Sequence, residues 1–97
     1  MTNLINIEIK KSTHILRALN HPLRQQIIQD IMVAHNKTSV TDLYVRLRID
    51  QSVASQHLGI LRRAKVVVAK RSGKQIYYSV DSNEIMRVGS LCKLINN

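Results

Sequence analysis

Cysteine, proline, glycine and aromatic residues are all scarce in this 97-residue chain, which has one Cys, one Pro, three Gly, three Tyr and neither Phe nor Trp. With Cys92 alone there is no intrachain disulfide, which excludes the small secreted folds framed by such bridges. Three aromatics make no exposed stacking cluster of the kind that recognises single-stranded RNA. No apolar run approaches the roughly 20 residues needed to cross a bilayer. The opening Met1-Thr2-Asn3-Leu4-Ile5-Asn6-Ile7-Glu8-Ile9-Lys10-Lys11 lacks the basic start, long apolar stretch and small-residue cleavage site of a secretory signal. By elimination, a cytoplasmic location is expected.

The chain is also short of groups that do chemistry. It has no nucleophile with a positioned histidine and acid, no paired acids and no Gly-rich phosphate loop, so an enzyme is not expected. His14, His21 and His35 are scattered and form no pair at metal-ligand spacing. Acids are few, 6 against 15 Lys and Arg, for a formal net charge of +9. The excess concentrates in residues 46–74, where Arg46, Arg48, Arg62, Arg63, Lys65, Lys70, Arg71 and Lys74 face only Asp50. Such a positive field suits a polyanion, since Lys and Arg that neutralise phosphates release condensed counterions. Anionic membranes attract the same charge, so charge alone does not choose between them.

The length is that of a single domain, with no linker, low-complexity segment or internal repeat, so residues 1–97 are expected to form one unit. Chains this small bury about 60–68% of their extended surface, so a second subunit covering an apolar face would add stability. The pattern is mainly helical, with a strand-rich section near residues 66–80. A first helix is expected near residues 7–19, ended by Asn20-His21-Pro22. Pro22 suits the first turn of a second helix, whose apolar face holds Leu23, Ile27, Ile31 and Ala34 with Ile28 and Met32 beside them. A polar loop, His35 to Ser39, closes it, and Val40 adds a very short strand. Thr41 caps a third helix containing Leu43, Tyr44, Val45 and Leu47, with Asp42 in its first turn. After Arg48-Ile49-Asp50, a fourth helix runs from Gln51 or Ser52 to Arg63, burying Val53/Ala54, His57/Leu58 and Leu61. Two short helices around a brief turn outline a helix-turn-helix.

Val66–Lys70 and Gln75–Val80 are β-rich runs around Arg71-Ser72-Gly73-Lys74, which predicts a hairpin with a basic turn, a wing suited to a phosphate backbone. Tyr77 and Tyr78 must point to opposite sides, one to the core and one outward. Asp81 and Glu84 read as a capping box for a last helix near residues 82–95. That helix and the first are expected to form a dimer surface through Ile15, Leu19, Ile85, Val88, Leu91, Cys92 and Ile95. The fold class is therefore a winged helix-turn-helix, a three-helix core with a small β-hairpin wing and terminal dimerisation helices.

The sharpest feature is Asp50-Gln51-Ser52-Val53-Ala54-Ser55-Gln56-His57-Leu58-Gly59-Ile60-Leu61-Arg62-Arg63. A helix that enters the major groove needs an outward face short enough for close approach yet able to hydrogen-bond base edges, and Gln51, Ser52, Ser55 and Gln56 meet both demands. The neutral alternative is that they only solubilise an exposed helix. Arg62, Arg63, Lys65, Arg71 and Lys74 would hold phosphates rather than read sequence, with a solvated charge run as the plain alternative. His57 is either a packed, hydrogen-bonded histidine or a donor to a phosphate. Tyr44 and the methionines are packing residues.

These residues resemble the ArsR/SmtB family of small dimeric winged helix-turn-helix repressors. The matching segments are Leu19-Asn20-His21-Pro22-Leu23-Arg24-Gln25-Gln26-Ile27-Ile28, Ser39-Val40-Thr41-Asp42-Leu43, Ser52 to Leu61, and Arg71-Ser72-Gly73-Lys74-Gln75-Ile76-Tyr77-Tyr78. Together they cover roughly residues 15 to 90. The resemblance implies recognition-helix contacts on Ser52, Ser55, Gln56 and His57, and wing contacts on Arg71 and Lys74. Members with a thiolate metal site carry Cys where this chain has Ser39. Members with a metal site between the last helices use Asp and His where this chain has Ser82 and Glu84, and a later His where it has Ile95. Hence no metal site and no cofactor are expected. The family's glycine in the turn after the recognition helix is replaced by Ala64-Lys65, so Lys65 is left-handed if the family's turn geometry is kept, or the helix boundary shifts and relieves it.

The resemblance implies a homodimeric repressor on double-stranded operator DNA. The alternative is a winged-helix nucleoid-associated or protein-interaction module with weak, non-specific DNA binding. No effector is identifiable, and Cys92 is either a buried apolar thiol or a site of oxidation across the interface.

Overall fold

The computed structural model describes Lys10 and residues 13–83. Residues 13–19 form helix α1, followed by α2 (Pro22–Val33), β1 (Thr38–Ser39), α3 (Val40–Leu47), α4 (Gln51–Arg63), β2 (Val67–Ser72) and β3 (Gln75–Val80). The three strands form one antiparallel sheet in the order β1-β3-β2. Residues 82 and 83 are again helical behind Asp81, whose Oδ1 accepts the Asn83 N–H at 3.1 Å. Glu84, the partner expected in a capping box, and the apolar residues 85–95 lie outside the described residues.

Each helix begins for a local reason. Pro22 occupies the first turn of α2, where its missing N–H is no loss, and His21 caps it by accepting the Leu23 N–H on Nδ1 at 3.1 Å. α3 is capped by Ser39, whose Oγ accepts the Asp42 N–H at 3.2 Å. The cap is thus two residues earlier than the expected Thr41. The short strand is likewise Thr38–Ser39 and not Val40, because Thr38 and Ser39 pair with Tyr78 and Tyr77 of β3, and Val40 already starts the helix.

The helix ends share a second device. His35, Asn36, Arg48 and Lys65 have φ between 55° and 63°, in the left-handed region that usually takes glycine. Past α4, the Lys65 N–H donates to the Arg62 carbonyl and the Val66 N–H to the Leu61 carbonyl, at 2.9 and 3.0 Å. These are the paired bonds of a Schellman motif, with Val66 and Leu61 both buried beside them. The left-handed Lys65 expected from the missing glycine is therefore present. Asn36 adds a link of its own, since its Oδ1 accepts the Val80 N–H at 2.6 Å and its Nδ2 donates to the Val80 carbonyl.

One core joins these elements. It is built from Ile15 and Ala18 of α1, Ile27, Ile28 and Ile31 of α2, Leu43 of α3, and Ala54, Leu58 and Leu61 of α4, closed by Ala64, Val66, Val67 and Val80. Each fully buried Leu or Ile contributes about 1.5–3 kcal/mol relative to exposure. Three expectations need correction. Ile15, expected at a dimer surface, is only 3% exposed within the single chain, because with Ala18 it forms the side of α1 that meets the core. Met32 is exposed rather than beside the buried face of α2. Arg71 and Ser72 extend β2 instead of forming the turn, which tightens to Gly73-Lys74 with Gly73 at φ 64°, the positive φ that a two-residue hairpin loop demands.

Candidate nucleic-acid interface

Helix α4 divides cleanly into two sides. Ala54, Leu58 and Leu61 are buried in the core, whereas Gln51, Ser52, Ser55, Gln56, Arg62 and Arg63 are exposed. The division follows from the 3.6-residue period, which puts 54, 58 and 61 on one stripe and 52, 56, 59 and 63 on another. Val53 and His57 are half-buried at the margin. The first turn carries no acid and the last turn carries Arg62 and Arg63. An exposed face of two amides and two hydroxyls, ending in two cations, offers donors and acceptors to base edges and positive charge to phosphates. Gly59 lies between the two, and the Arg63 Nη1 comes within 3.6 Å of where a Cβ on Gly59 would stand, so the guanidinium folds back over the glycine.

His57 has its place fixed from inside. Its Nδ1 accepts from Arg24 Nε at 3.3 Å, and its ring meets that of His21 with centroids 4.8 Å apart. Burial, then the neighbouring His21 and Arg24, hold its pKa below the ordinary histidine value of 6.5. With Nδ1 acting as acceptor, the neutral ring carries its proton on Nε2. Arg24 continues the network, donating from Nη1 to the carbonyls of Arg17 and Ala18 at the end of α1, at 3.2 and 3.1 Å. Sequence reasoning assigned Arg24 no role. It stood in the quoted segment after Pro22, but its partner His57 lies 33 residues further on.

The hairpin presents its own basic group. Lys70, Arg71, Ser72, Lys74 and Gln75 are all exposed around Gly73, and Lys65 is exposed just beyond α4. Of the two tyrosines, Tyr78 packs against the core, and Tyr77 lies under Lys37, whose Nζ sits 4.6 Å from the ring centroid. Tyr44 also packs against the core.

Arg46 leaves the basic set that sequence suggested. Its Nε and Nη2 clasp both oxygens of Asp30 at 2.8–3.2 Å, and Nη2 also donates to Thr38 Oγ1 at 2.6 Å. The hydrogen bond to Asp30 raises its pKa further and makes it a structural cation tying α2, α3 and β1 together. Ser39, at the position where thiolate members of the resembling family carry Cys, is used as the α3 cap. Among the described residues, no three of His, Cys, Asp and Glu gather at metal-ligand distance. No helix among them is long and apolar enough to cross a membrane. Of the residues expected at a dimer surface, Leu19 is half-buried, and those from Ile85 to Ile95 lie outside the described residues.

No protein-family model matches the chain. Individual proteins do match. The transcriptional repressor PagR of Bacillus anthracis is 31% identical over 90 residues, spanning 93% of this chain and 86% of PagR. Its crystal structure superposes with a TM-score of 0.73 at 30% identity, over 84% of this chain and 94% of that one. The transcriptional activator HlyU of Vibrio cholerae is 35% identical over 75 residues, covering 77% of this chain and 68% of HlyU. The homodimeric winged helix-turn-helix DNA-binding domain Mb0332 of Mycobacterium bovis, a possible ArsR-family regulator, shares the fold with a TM-score of 0.72 at 22% identity, over 91% of this chain and 80% of that one. With its exposed polar helix, its hairpin wing and these relatives, the chain belongs to the ArsR/SmtB family of winged helix-turn-helix transcriptional regulators.

Proposed function

We propose that the chain is a sequence-specific, double-stranded DNA-binding transcriptional regulator that acts in the cytoplasm as a homodimeric repressor. The observation that carries this is the division of α4, with Gln51, Ser52, Ser55 and Gln56 exposed on one side and Ala54, Leu58 and Leu61 anchored in the core on the other. A rigidly seated helix with short, uncharged polar side chains fits the major groove, where a Gln amide pairs with adenine N6 and N7 and Ser reaches bases or phosphates. Arg62, Arg63, Lys65, Arg71 and Lys74 hold the backbone on either side. His57 takes part through the free Nε2 side of its ring while Arg24 sets its orientation.

Two copies related by a twofold axis place two such helices in successive major grooves, so the operator is an imperfect palindrome with half-sites about one helical turn apart. Leu19 and the apolar residues of 85–95 supply the dimer surface, and Leu16, exposed on α1, joins them. PagR is named a repressor and HlyU an activator. In this reading the direction of regulation follows where the operator lies relative to the promoter, and occupancy over the promoter represses.

The test is selection of bound duplexes from random DNA by the purified protein, followed by competition with scrambled sequence. An enriched palindrome that outcompetes scrambled DNA is the expected result. Binding without enrichment, equally relieved by any duplex, would replace this proposal with a non-specific nucleoid-type module.

A further inference from the structure

A groove runs between α1, the start of α2 and the C-terminal half of α4. It encloses about 450 Å³ and is lined by His14, Arg17, Ala18, Arg24, Ile60 and Arg63. Through His14 and Arg17 it continues into a second depression of about 310 Å³ that adds Lys10 and Thr13. Among the described residues, no Asp or Glu lines either part. Arg17 and Arg24 thus meet Arg63 of α4 along this groove, with Lys10 at its extension and no carboxylate among the described lining residues, and of these cations only Arg63 has so far been given a part in holding DNA.

We propose that this groove is a second phosphate-binding surface, which holds the DNA backbone beyond the bases read by α4. The inference rests on the DNA-binding reading above. Like charges brought together on a small domain repel, and the arrangement becomes favourable when a polyanion neutralises them. Arg24 is pre-oriented for this. Its Nε and Nη1 are tied to His57 and to the carbonyls of Arg17 and Ala18, neutral acceptors that fix the guanidinium without cancelling its charge.

Placement favours the backbone over a free anion. Ser52, Gln56, Gly59 and Arg63 share one stripe of α4, so the groove begins where the reading face ends. From Ser52 to Arg63 the helix advances about 16 Å, which sets the groove apart from the first turns of α4 and so from the bases that they would read. The groove is also open along its length, whereas sites for small ligands bury most of the ligand surface.

The experiment measures the salt dependence of binding to a selected operator for the wild type, Arg17→Ala, Arg17→Lys and, as a wing control, Arg71→Ala. It is paired with phosphate-ethylation interference on the wild type and Arg17→Ala. The Arg17 guanidinium makes no hydrogen bond among the described residues, so its truncation leaves the fold intact, which thermal melting verifies. Arg17→Ala is expected to weaken specific and random DNA equally and to lower the salt slope by about one, with Arg17→Lys restoring it. Ethylation of phosphates outside those beside the read bases and the wing should interfere in the wild type and no longer in Arg17→Ala.

A slope reduced by Arg71→Ala but not by Arg17→Ala overturns the groove while leaving DNA binding intact. Thermal stabilisation by inorganic phosphate that Arg17→Ala abolishes, with an unchanged slope, overturns it in favour of a free-anion site. A wild type without salt-dependent DNA binding ends both proposals. Ethylation interference on the wild type alone decides the matter if Arg17→Ala fails to fold, since interference confined to phosphates beside α4 and the wing excludes the groove.

Discussion

The imidazole rings of His21 and His57 meet with centroids 4.8 Å apart and planes tilted by 50°, joining the cap of α2 to the middle of α4. Each ring offers Nδ1 as an acceptor, His21 to the Leu23 N–H and His57 to Arg24 Nε. The seating of α4 therefore depends on a neutral histidine beside a fixed cation.

That dependence gives stability a pH signature. Burial, His21 and Arg24 keep the folded-state pKa of His57 below 6.5, so on acidification the unfolded chain takes up a proton before the folded chain does. The stability is complete above about 6.5 and is lost as pH falls toward the lower folded value. Melting temperature should fall through this window in the wild type, and His57→Gln should flatten the change. Parallel curves for both proteins would show that His57 is not the group responsible.

Arg46 and Asp30 form a fork-to-carboxylate pair in which the Asp30 side chain is only 14% exposed. Arg46→Ala leaves that carboxylate poorly solvated and unpaired, and removes the donor to Thr38 Oγ1. A loss of about 1–2 kcal/mol is expected after allowing for the partial exposure of Arg46. Arg46→Lys should recover only part of it, because an ammonium cannot make the bidentate contact. Urea unfolding at constant m-value measures this, and an Arg46→Ala midpoint equal to that of the wild type would contradict it.

Lys65 stands at φ 63° immediately after α4, in a Schellman turn whose hydrogen bonds are all made by the backbone. Its side chain is exposed, so replacing it removes the left-handed strain and little packing. Lys65→Gly should stabilise the protein by up to about 1 kcal/mol, reduced by the added freedom of glycine in the unfolded chain. Chemical denaturation gives the sign, and a lower midpoint for the glycine variant would disprove the strain.

The left-handed Lys65 was legible only through the family resemblance, which puts a glycine in that turn, and the structure keeps the turn where a shifted boundary was the alternative. α4 was legible directly, since a 3.6-residue period sustained from Ala54 to Leu61 fixes which side is buried. Features that depend on distant partners were hidden. The strand Thr38–Ser39 is two residues long, has no pattern of its own, and exists because Tyr77 and Tyr78 run beside it. Arg46 looks like any surface cation until Asp30 is brought against it from 16 residues away. Ile15 was misplaced because a core and a dimer seam ask for the same apolar side chain, and only packing tells them apart. In the interface, the exposure of Gln51, Ser52, Ser55 and Gln56 followed from the same period, whereas the link from Arg24 to His57 did not.

The roles assigned to Gln56 and Arg71 differ in kind and can be separated. Gln56 lies on the exposed stripe of α4 with Ser52, and Arg71 lies on β2 beside the turn at Gly73. A bidentate amide contact to a base discriminates between sequences, so Gln56→Ala should cost about 1–3 kcal/mol on the operator, with a much smaller loss on random DNA. An arginine on a phosphate is indifferent to sequence, so Arg71→Ala should weaken every duplex and lower the salt slope by about one. Fluorescence anisotropy titrations of both variants on operator and scrambled duplexes at several salt concentrations yield all four quantities. If the two substitutions cost the same on both duplexes, α4 is not the reading helix, and the division between base contact and backbone contact fails with it.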